Sequence, residues 1–199
     1  MLTRLKKKFQ HWITTEAKVA YKVGLTPNHV SALGILFAVI SAITYWKWHF
    51  FQFSLITAPL LLLISGFCDA LDGAIARLHG KTTNFGKFLD SVLDRYADAI
   101  ILLGIIFGGL CAPVWGFFAL INSLMVSYSR ARAEALGVEM EAVGVAERAE
   151  RLIILAAASF LSIVWLDVLN WAVIILAVLT GLTVLQRVTY FLRVTKSGE

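Results

Sequence analysis

The composition of this 199-residue chain excludes a water-soluble globular domain. Hydrophobic residues make up 59% of the chain and charged residues only 16%, the mean hydropathy is +0.78, and a domain of this size has too little interior to bury so much apolar surface. With a formal net charge of +5, the chain is expected to be an integral membrane protein with basic ends.

The first 22 residues predict a helix that lies on the membrane surface. Apolar residues recur at helical spacing among lysines, as in helices that bind an anionic membrane. The basic run leads into a mixed polar segment instead of a short apolar core, which argues against a cleavable signal peptide. A disordered basic tail is the alternative interpretation. The apolar residues are Leu2, Leu5, Phe9, Trp12 and Ile13.

Six apolar stretches follow, each near the length of about 20 residues that a membrane-spanning helix needs. No internal repeat, low-complexity segment or Pro/Gly/Ser linker separates them, so residues 1–199 are predicted to form one all-α membrane domain, with a six-helix bundle at about 29–190. The predicted spans are roughly 29–47, 52–78, 85–109, 112–132, 150–166 and 168–190.

Basic residues are distributed unevenly between the two ends of these spans. Of the 18 Lys and Arg residues, only Lys47 lies at a predicted outer connection, and Arg95 lies within a span. The positive-inside rule therefore places both termini in the cytoplasm, and tryptophans near the opposite ends fit an aromatic belt. These tryptophans are Trp46, Trp48, Trp115, Trp165 and Trp171.

Aspartates lie within the second and third predicted spans, where an ionisable group is costly and usually functional. Asp69 and Asp72 share one face of a helix, and Asp90 and Asp94 share a face of the next. The short polar turn at 80–84 makes the two helices antiparallel neighbours. Asp72 then lies at the depth of Asp90, and Asp69 at the depth of Asp94, so we expect the four carboxylates to converge.

Four neighbouring carboxylates require positive charge among them, because mutual repulsion and burial both oppose ionisation. All-oxygen ligation suits Mg²⁺ or Mn²⁺, and two such ions would hold a phosphoryl group for in-line displacement. Gly73, Ala76 and Gly86 leave room for a ligand, and Arg77 can pair with phosphate. A helix–helix hydrogen bond is the alternative for any single aspartate, and Asp98, which has no partner at its depth, keeps that interpretation.

These residues resemble the complete signature of the CDP-alcohol phosphatidyltransferase family. The resemblance implies that an acceptor hydroxyl attacks the β-phosphate of a CDP-lipid and that CMP leaves. It implies metal binding by the first three motif aspartates, and for Asp94 both binding of the second metal and the role of general base. The signature reads Asp69-x-x-Asp72-Gly73-x-x-Ala76-Arg77, then eight residues, then Gly86-x-x-x-Asp90-x-x-x-Asp94.

The same resemblance implies which residues bind the CDP part of the donor. One group lies at the start of the first span, where the residues also have the ordinary interpretation of a helix start marked by Pro27. The other group surrounds the aspartates. The implied residues are Asn28, His29, Val30, Ser31, Gly73, Ala76, Arg77, Thr83 and Gly86.

Residues 128–135 and 145–154 resemble the inositol-phosphate branch of the family, the phosphatidylinositol phosphate synthases and their archaeal archaetidyl counterparts. The resemblance implies that Arg130, Arg151 and Arg187 bind the acceptor's phosphate, and it implies a homodimer. Bacterial members often carry Lys where this chain has Arg130, which keeps the charge but not the fork geometry. Three arginines at cytoplasmic helix ends also favour a dianionic acceptor over a neutral alcohol, although the positive-inside rule alone explains arginines there.

Two other functions share some of these features. Glycerol 3-phosphate would satisfy the same charges, which would make the chain a phosphatidylglycerophosphate synthase, and the Glu-Arg stretch within 145–154 favours inositol phosphate instead. A divalent-cation transporter would carry acidic groups along a path or at both mouths, whereas here they lie near one side. Acyl and ether chains present the same apolar exterior, so the sequence is compatible with either kind of donor lipid.

Overall fold

The computed structural model describes residues 13–140 and 143–196, and within them the regular elements are all helical. Helical residues 13–22 (α1) precede six long helices, and a 3₁₀ turn at Trp48–Phe50 follows the first of these. The six are α2 (Pro27–Trp46), α3 (Ser54–Leu78), α4 (Asn84–Phe107), α5 (Pro113–Ala135), α6 (Arg148–Leu161) and α7 (Asp167–Lys196).

Each predicted span coincides with one of the six long helices. Among the described residues, α2, α3 and α7 are long and apolar enough to cross a membrane. Helix α4 carries several charged side chains, and α6 has 14 residues, about 21 Å at 1.5 Å per residue, which is less than the roughly 30 Å hydrocarbon core. The fold is therefore all-helical with three candidate spans, and the six-span topology stays a prediction.

Hydroxyl caps set the beginnings of the two helices that start nearest the aspartates. Thr26 Oγ1 accepts a hydrogen bond from the His29 backbone N–H at 3.3 Å, at the start of α2. Thr83 Oγ1 accepts from the Gly86 N–H at 2.9 Å, at the start of α4. Such caps satisfy backbone donors that have no partner within the helix. They fix where α2 and α4 begin relative to α3.

The six long helices pack in a closed cyclic order: α2, α3, α6, α7, α5 and α4. The sequence predicted α3 and α4 as antiparallel neighbours, but they contact each other at few positions, because α2 packs extensively against both. A narrow cleft between α3 and α4 results, and Ser31 and Gly34 of α2 also line it. Asp69 and Asp72 of α3 and Asp90 and Asp94 of α4 line this cleft.

Helix α1 packs against the helix that carries the first two aspartates. Tyr21 of α1 stacks on His79 with ring centroids 3.6 Å apart, and Lys81 Nζ lies 4.9 Å from the centre of the Tyr21 ring. Residues 1–12, which include most of the predicted surface-binding side chains, lie outside the described residues. The apolar cluster between α1, α2 and α3 contains Ile13, Ala17, Val30, Cys68, Leu71, Ala74 and Ile75.

A glycine brings α4 against the backbone of α2. A Cβ atom on Gly104 would lie 2.7 Å from the Ala42 Cα and 2.9 Å from its carbonyl carbon. Small residues allow this close approach between membrane helices. The α2–α4 contact therefore has no space for even one added methyl group at this position.

We predict that Gly104→Ala lowers the melting temperature of the detergent-solubilised protein. Ala normally stabilises a helix interior by about 1 kcal/mol relative to Gly, but here overpacking costs roughly 1–3 kcal/mol. Thermal unfolding measures the net effect. Ala157→Val, on an exposed position of α6, is the control and should melt near the wild type. A melting temperature of Gly104→Ala at or above that of the wild type would contradict the close packing.

Candidate active site

Three of the four predicted aspartates present their carboxylates to one another in the cleft. Asp69 and Asp72 of α3 and Asp90 of α4 each offer an oxygen, and these oxygens all lie within 4.8 Å of one another. Asp72 is 4% exposed, and Ser31 Oγ of α2 donates a hydrogen bond to its Oδ2. Hard oxygen donors at this spacing fit Mg²⁺ or Mn²⁺.

The fourth aspartate, Asp94, joins the group through an arginine of α6. Arg148 Nη1 lies 2.5 Å from Asp69 Oδ2 and 2.6 Å from Asp94 Oδ1. Arg95 Nη1 is 4.0 Å from Asp94 Oδ2. The structure therefore brings the four carboxylates into one site. Asp69 lies beside Asp72 and Asp90, and it shares Arg148 with Asp94.

The sequence motifs did not point to Arg148, although it lies in the Glu-Arg stretch within 145–154 that resembles the inositol-phosphate branch. Arg148 and Arg151 are three residues apart at the start of α6, a spacing that places both on one helix face. Both also contact Asp98, at 3.2 Å and 2.5 Å respectively. Asp98 has its partners on α6. The depths of residues on α3 and α4 relative to their shared turn carry no information about α6.

A cavity of about 630 Å³ opens beside Asp69 and Asp94, between α3, α4, α5, α6 and α7. The three arginines predicted to bind the acceptor's phosphate all line it: Arg130 of α5, Arg151 of α6 and Arg187 of α7. Asp69 and Asp94 line both this cavity and the cleft that holds the other two aspartates. The two spaces therefore meet at one pair of carboxylates.

Two of the cavity arginines are buried and held by backbone carbonyls. Arg151 is 4% exposed and donates from Nη1 to the Ala146 carbonyl at 3.1 Å. Arg187 is 2% exposed, donates from Nε to the Val143 carbonyl at 2.9 Å, and donates from Nη1 to the Val126 carbonyl. Carbonyls orient a guanidinium without neutralising its charge. The positive charge of Arg187 therefore remains available to an anion in the cavity. Arg151 also pairs with the Asp98 carboxylate, at 2.5 Å.

The third cavity arginine, Arg130, is more accessible. Its side chain is 41% exposed, its Nε lies 2.8 Å from Glu134 Oε1, and its Nη1 lies 3.9 Å from Glu147 Oε1. Exposed pairs of this kind contribute little to stability. Arg130 is therefore the cavity arginine whose removal should disturb the fold least.

Of the residues implied to bind CDP, Ser31 lines the cleft. The others lie at the start of α2, in the last turns of α3 and at the start of α4. Arg77 is exposed and lies over Gly73, with its Nη1 3.2 Å from where a Cβ of that glycine would be. Thr83 and Gly86 form the N-terminal cap of α4. The Val30 side chain is buried in the apolar cluster between α1, α2 and α3. Contact with CDP stays a prediction for these residues. Contact of Asn28, His29, Ser31 and Ala76 with CDP is likewise a prediction.

Comparison with known proteins decides the family. Residues 25–185 match the family model of the CDP-alcohol phosphatidyltransferases. This chain belongs to that family. It is 40% identical over 188 residues to the archaetidylinositol phosphate synthase of Pyrococcus horikoshii, covering 94% of this chain and 95% of that protein. It is 36% identical over 182 residues to the phosphatidylinositol phosphate synthase of Mycolicibacterium smegmatis, covering 86% and 80%.

Solved structures of another family member share the fold. The phosphatidylinositol phosphate synthase of Mycobacterium tuberculosis with CDP-DAG bound gives a TM-score of 0.77 at 31% identity, covering 90% of this chain and 92% of that one. The same enzyme in complex with manganese and citrate gives 0.77 at 31% identity, covering 90% and 88%. The chain is thus a membrane-bound CDP-alcohol phosphatidyltransferase, an enzyme of phospholipid synthesis.

We predict that Asp69→Asn or Asp90→Asn abolishes CMP release while the protein stays folded, because each change removes a charge that a divalent ion requires. Excess EDTA should abolish wild-type activity, and added Mg²⁺ or Mn²⁺ should restore it. Asp167→Asn, at the exposed start of α7, is the matched control and should leave activity unchanged. Full activity in excess EDTA would show that the aspartates do not act through a metal.

Proposed function

We propose that the chain transfers a phosphatidyl or archaetidyl group from a CDP-lipid to 1D-myo-inositol 1-phosphate or 3-phosphate and releases CMP. The observation that carries this proposal is the cavity that holds Arg130, Arg151 and Arg187 beside Asp69 and Asp94. Guanidinium groups bind a phosphate dianion through charge-assisted hydrogen bonds. An acceptor bound there by its phosphate would have its hydroxyl groups close to the carboxylates.

The names of the similar proteins support the same acceptor and the same kind of donor. Three relatives that each match 86% or more of this chain are archaetidylinositol or phosphatidylinositol phosphate synthases. The Mycobacterium tuberculosis enzyme has been solved with CDP-DAG bound. The proposed CDP contacts are the residues that the motif implies around the aspartates and at the start of α2. An enzyme of this class acts on a lipid in the bilayer and a polar acceptor from water.

The proposed chemistry is a single displacement at phosphorus. The acceptor's hydroxyl oxygen forms a bond to the β-phosphorus of the CDP-lipid, and the bond from that phosphorus to the bridging diphosphate oxygen breaks, so that CMP leaves. Asp94 accepts the hydroxyl proton on a carboxylate oxygen as the new bond forms. Asp94 lines both the cleft and the cavity, and this position suits the role, because the two substrates would meet there.

The cofactor is a divalent cation, Mg²⁺ or Mn²⁺. We assign its ligands to the four motif aspartates, and we propose that they bind two ions. When bound, the cation stabilises the negative charge that develops on the phosphate oxygens. The oxygens of Asp69, Asp72 and Asp90 fit such an ion by their type and spacing. Asp94 completes the set from the cavity side.

We further propose that α2 to α7 all cross the membrane as one domain over residues 1–199, with both termini and the active site on the cytoplasmic side of the cell membrane. The positive-inside distribution supports this orientation. The cavity arginines belong to the same basic side, where a water-soluble acceptor and CMP exchange with the cytoplasm. A homodimer is proposed from the family resemblance.

We predict that Asp94→Asn lowers kcat by about 10² to 10⁴, the usual contribution of a general base, and weakens CDP-lipid binding far less. The physical reason is that the amide cannot accept the hydroxyl proton. CMP release gives kcat, and competition with labelled CDP-lipid gives the affinity of the donor. Normal turnover by the variant would transfer the role of base to another group or to solvent.

We predict that Arg130→Ala lowers kcat/KM for inositol 1-phosphate about ten- to a hundredfold, since a charge-assisted hydrogen bond contributes roughly 1.5 to 3 kcal/mol. Donor affinity should stay near that of the wild type. Arg132→Ala is the matched control on the same helix, because Arg132 is exposed and outside the cavity lining. Arg77→Ala should have the opposite pattern, with CDP-lipid binding impaired, because its motif position faces the donor's diphosphate.

The proposed acceptor is tested by CMP release from the wild-type protein with inositol 1-phosphate, inositol, glycerol 3-phosphate and serine. Turnover should be fastest with inositol 1-phosphate. Equal turnover of inositol and inositol 1-phosphate would overturn the anion-binding cavity. A strong preference for glycerol 3-phosphate would keep the cavity but assign the chain to the phosphatidylglycerophosphate synthases.

A further inference from the structure

Asp98 is the aspartate of α4 for which the proposed reaction has no role. It lies one turn beyond Asp94, so that it shares a helix face with the catalytic carboxylates, and its side chain is 10% exposed. A carboxylate so buried requires charged or hydrogen-bonding partners. Both partners come from α6: Oδ1 accepts from Arg148 Nε at 3.2 Å, and Oδ2 accepts from Arg151 Nη2 at 2.5 Å.

The two arginines held by Asp98 serve different parts of the site. Arg148 extends beyond Asp98 to Asp69 and Asp94, at 2.5 Å and 2.6 Å. Arg151 lines the acceptor cavity and otherwise donates to the Ala146 carbonyl. One carboxylate therefore connects the carboxylate pair beside the cleft with the proposed binding site for the acceptor's phosphate.

We propose that Asp98 is a positioning residue for the transfer reaction. By holding Arg151 in the cavity and Arg148 against Asp69 and Asp94, it sets the acceptor's phosphate at a fixed position relative to Asp94. The inference rests on the proposed function, since it assumes an acceptor that binds by its phosphate. Without the Asp98 charge, Arg151 would keep only the neutral Ala146 carbonyl of these two partners. The Arg151 side chain would then no longer be held in the conformation that lines the cavity.

The test is Asp98→Asn, which keeps the shape of the side chain and removes its charge. Because charge-assisted bonds to two arginines weaken, KM for inositol 1-phosphate should rise about tenfold, while KM for the CDP-lipid changes less than about twofold. Calorimetric titration with inositol 1-phosphate should show the same loss of affinity without turnover. Asp98→Glu restores the charge and should recover part of the loss.

A matched control separates positioning from a simple link between helices. Tyr45 and Ser159 form a buried hydrogen bond of 2.7 Å between α2 and α6, and neither residue lines the cavity. Tyr45→Phe should lower the melting temperature and leave KM for the acceptor unchanged. If Asp98→Asn behaves in the same way, with a lower melting temperature and an unchanged acceptor KM and affinity, Asp98 only links helices and the proposal is wrong.

Wild-type measurements in the same assay distinguish this outcome from failure of the proposed function. If the wild type prefers glycerol 3-phosphate, the proposed acceptor is wrong, and the Asp98 variants are then compared with that phosphorylated acceptor. If the wild type binds no phosphorylated acceptor, both the proposed function and the positioning role are wrong. If the wild type uses inositol 1-phosphate and Asp98→Asn binds it equally well, only the positioning role is wrong.

Discussion

Carboxylates in apolar helices must meet positive charge, because burial without it disfavours the ionised form by several kcal/mol per group. Helices α3 and α4 present five aspartates to the interior, and the rest of the site follows from this constraint. Arg148 and Arg151 of α6 pair with three of them. The three carboxylates closest together, those of Asp69, Asp72 and Asp90, have the oxygen spacing that fits a divalent cation.

The packing order of the helices determines where these charges face. Because α2 packs against both α3 and α4, those two helices separate and leave a narrow cleft that the four motif aspartates line. Because α6 packs against α3 and α7, Arg148 and Arg151 in its first turn reach the aspartates of α3 and α4. Asp69 and Asp94 consequently line both the cleft and the cavity. A displacement reaction between two separately bound substrates needs this arrangement, with the reacting groups at the boundary.

The arginines of the proposed acceptor cavity are held in place by the protein itself. Arg151 is buried and held by the Asp98 carboxylate and the Ala146 carbonyl. Arg187 is buried and held by the carbonyls of Val143 and Val126. In the proposed function, their guanidinium groups would lose little freedom when a phosphate binds. Arg130 remains partly exposed at the same cavity. In the proposed function, this cavity would take a water-soluble, doubly charged acceptor beside Asp69 and Asp94.

The sequence by itself determined the helical bundle, its helix positions and the convergence of the motif aspartates, because apolar runs and the 3.6-residue period act locally along one or two helices. It also selected Arg130, Arg151 and Arg187, which the tertiary structure places around one cavity. Only the tertiary structure decided that α2 separates α3 from α4, that Arg148 reaches Asp69 and Asp94, and that Asp98 pairs with α6. The contacts of Arg148 with Asp98 and of Ser31 with Asp72 join residues 50 and 41 positions apart. Helical periodicity carries no information on which helix packs against which.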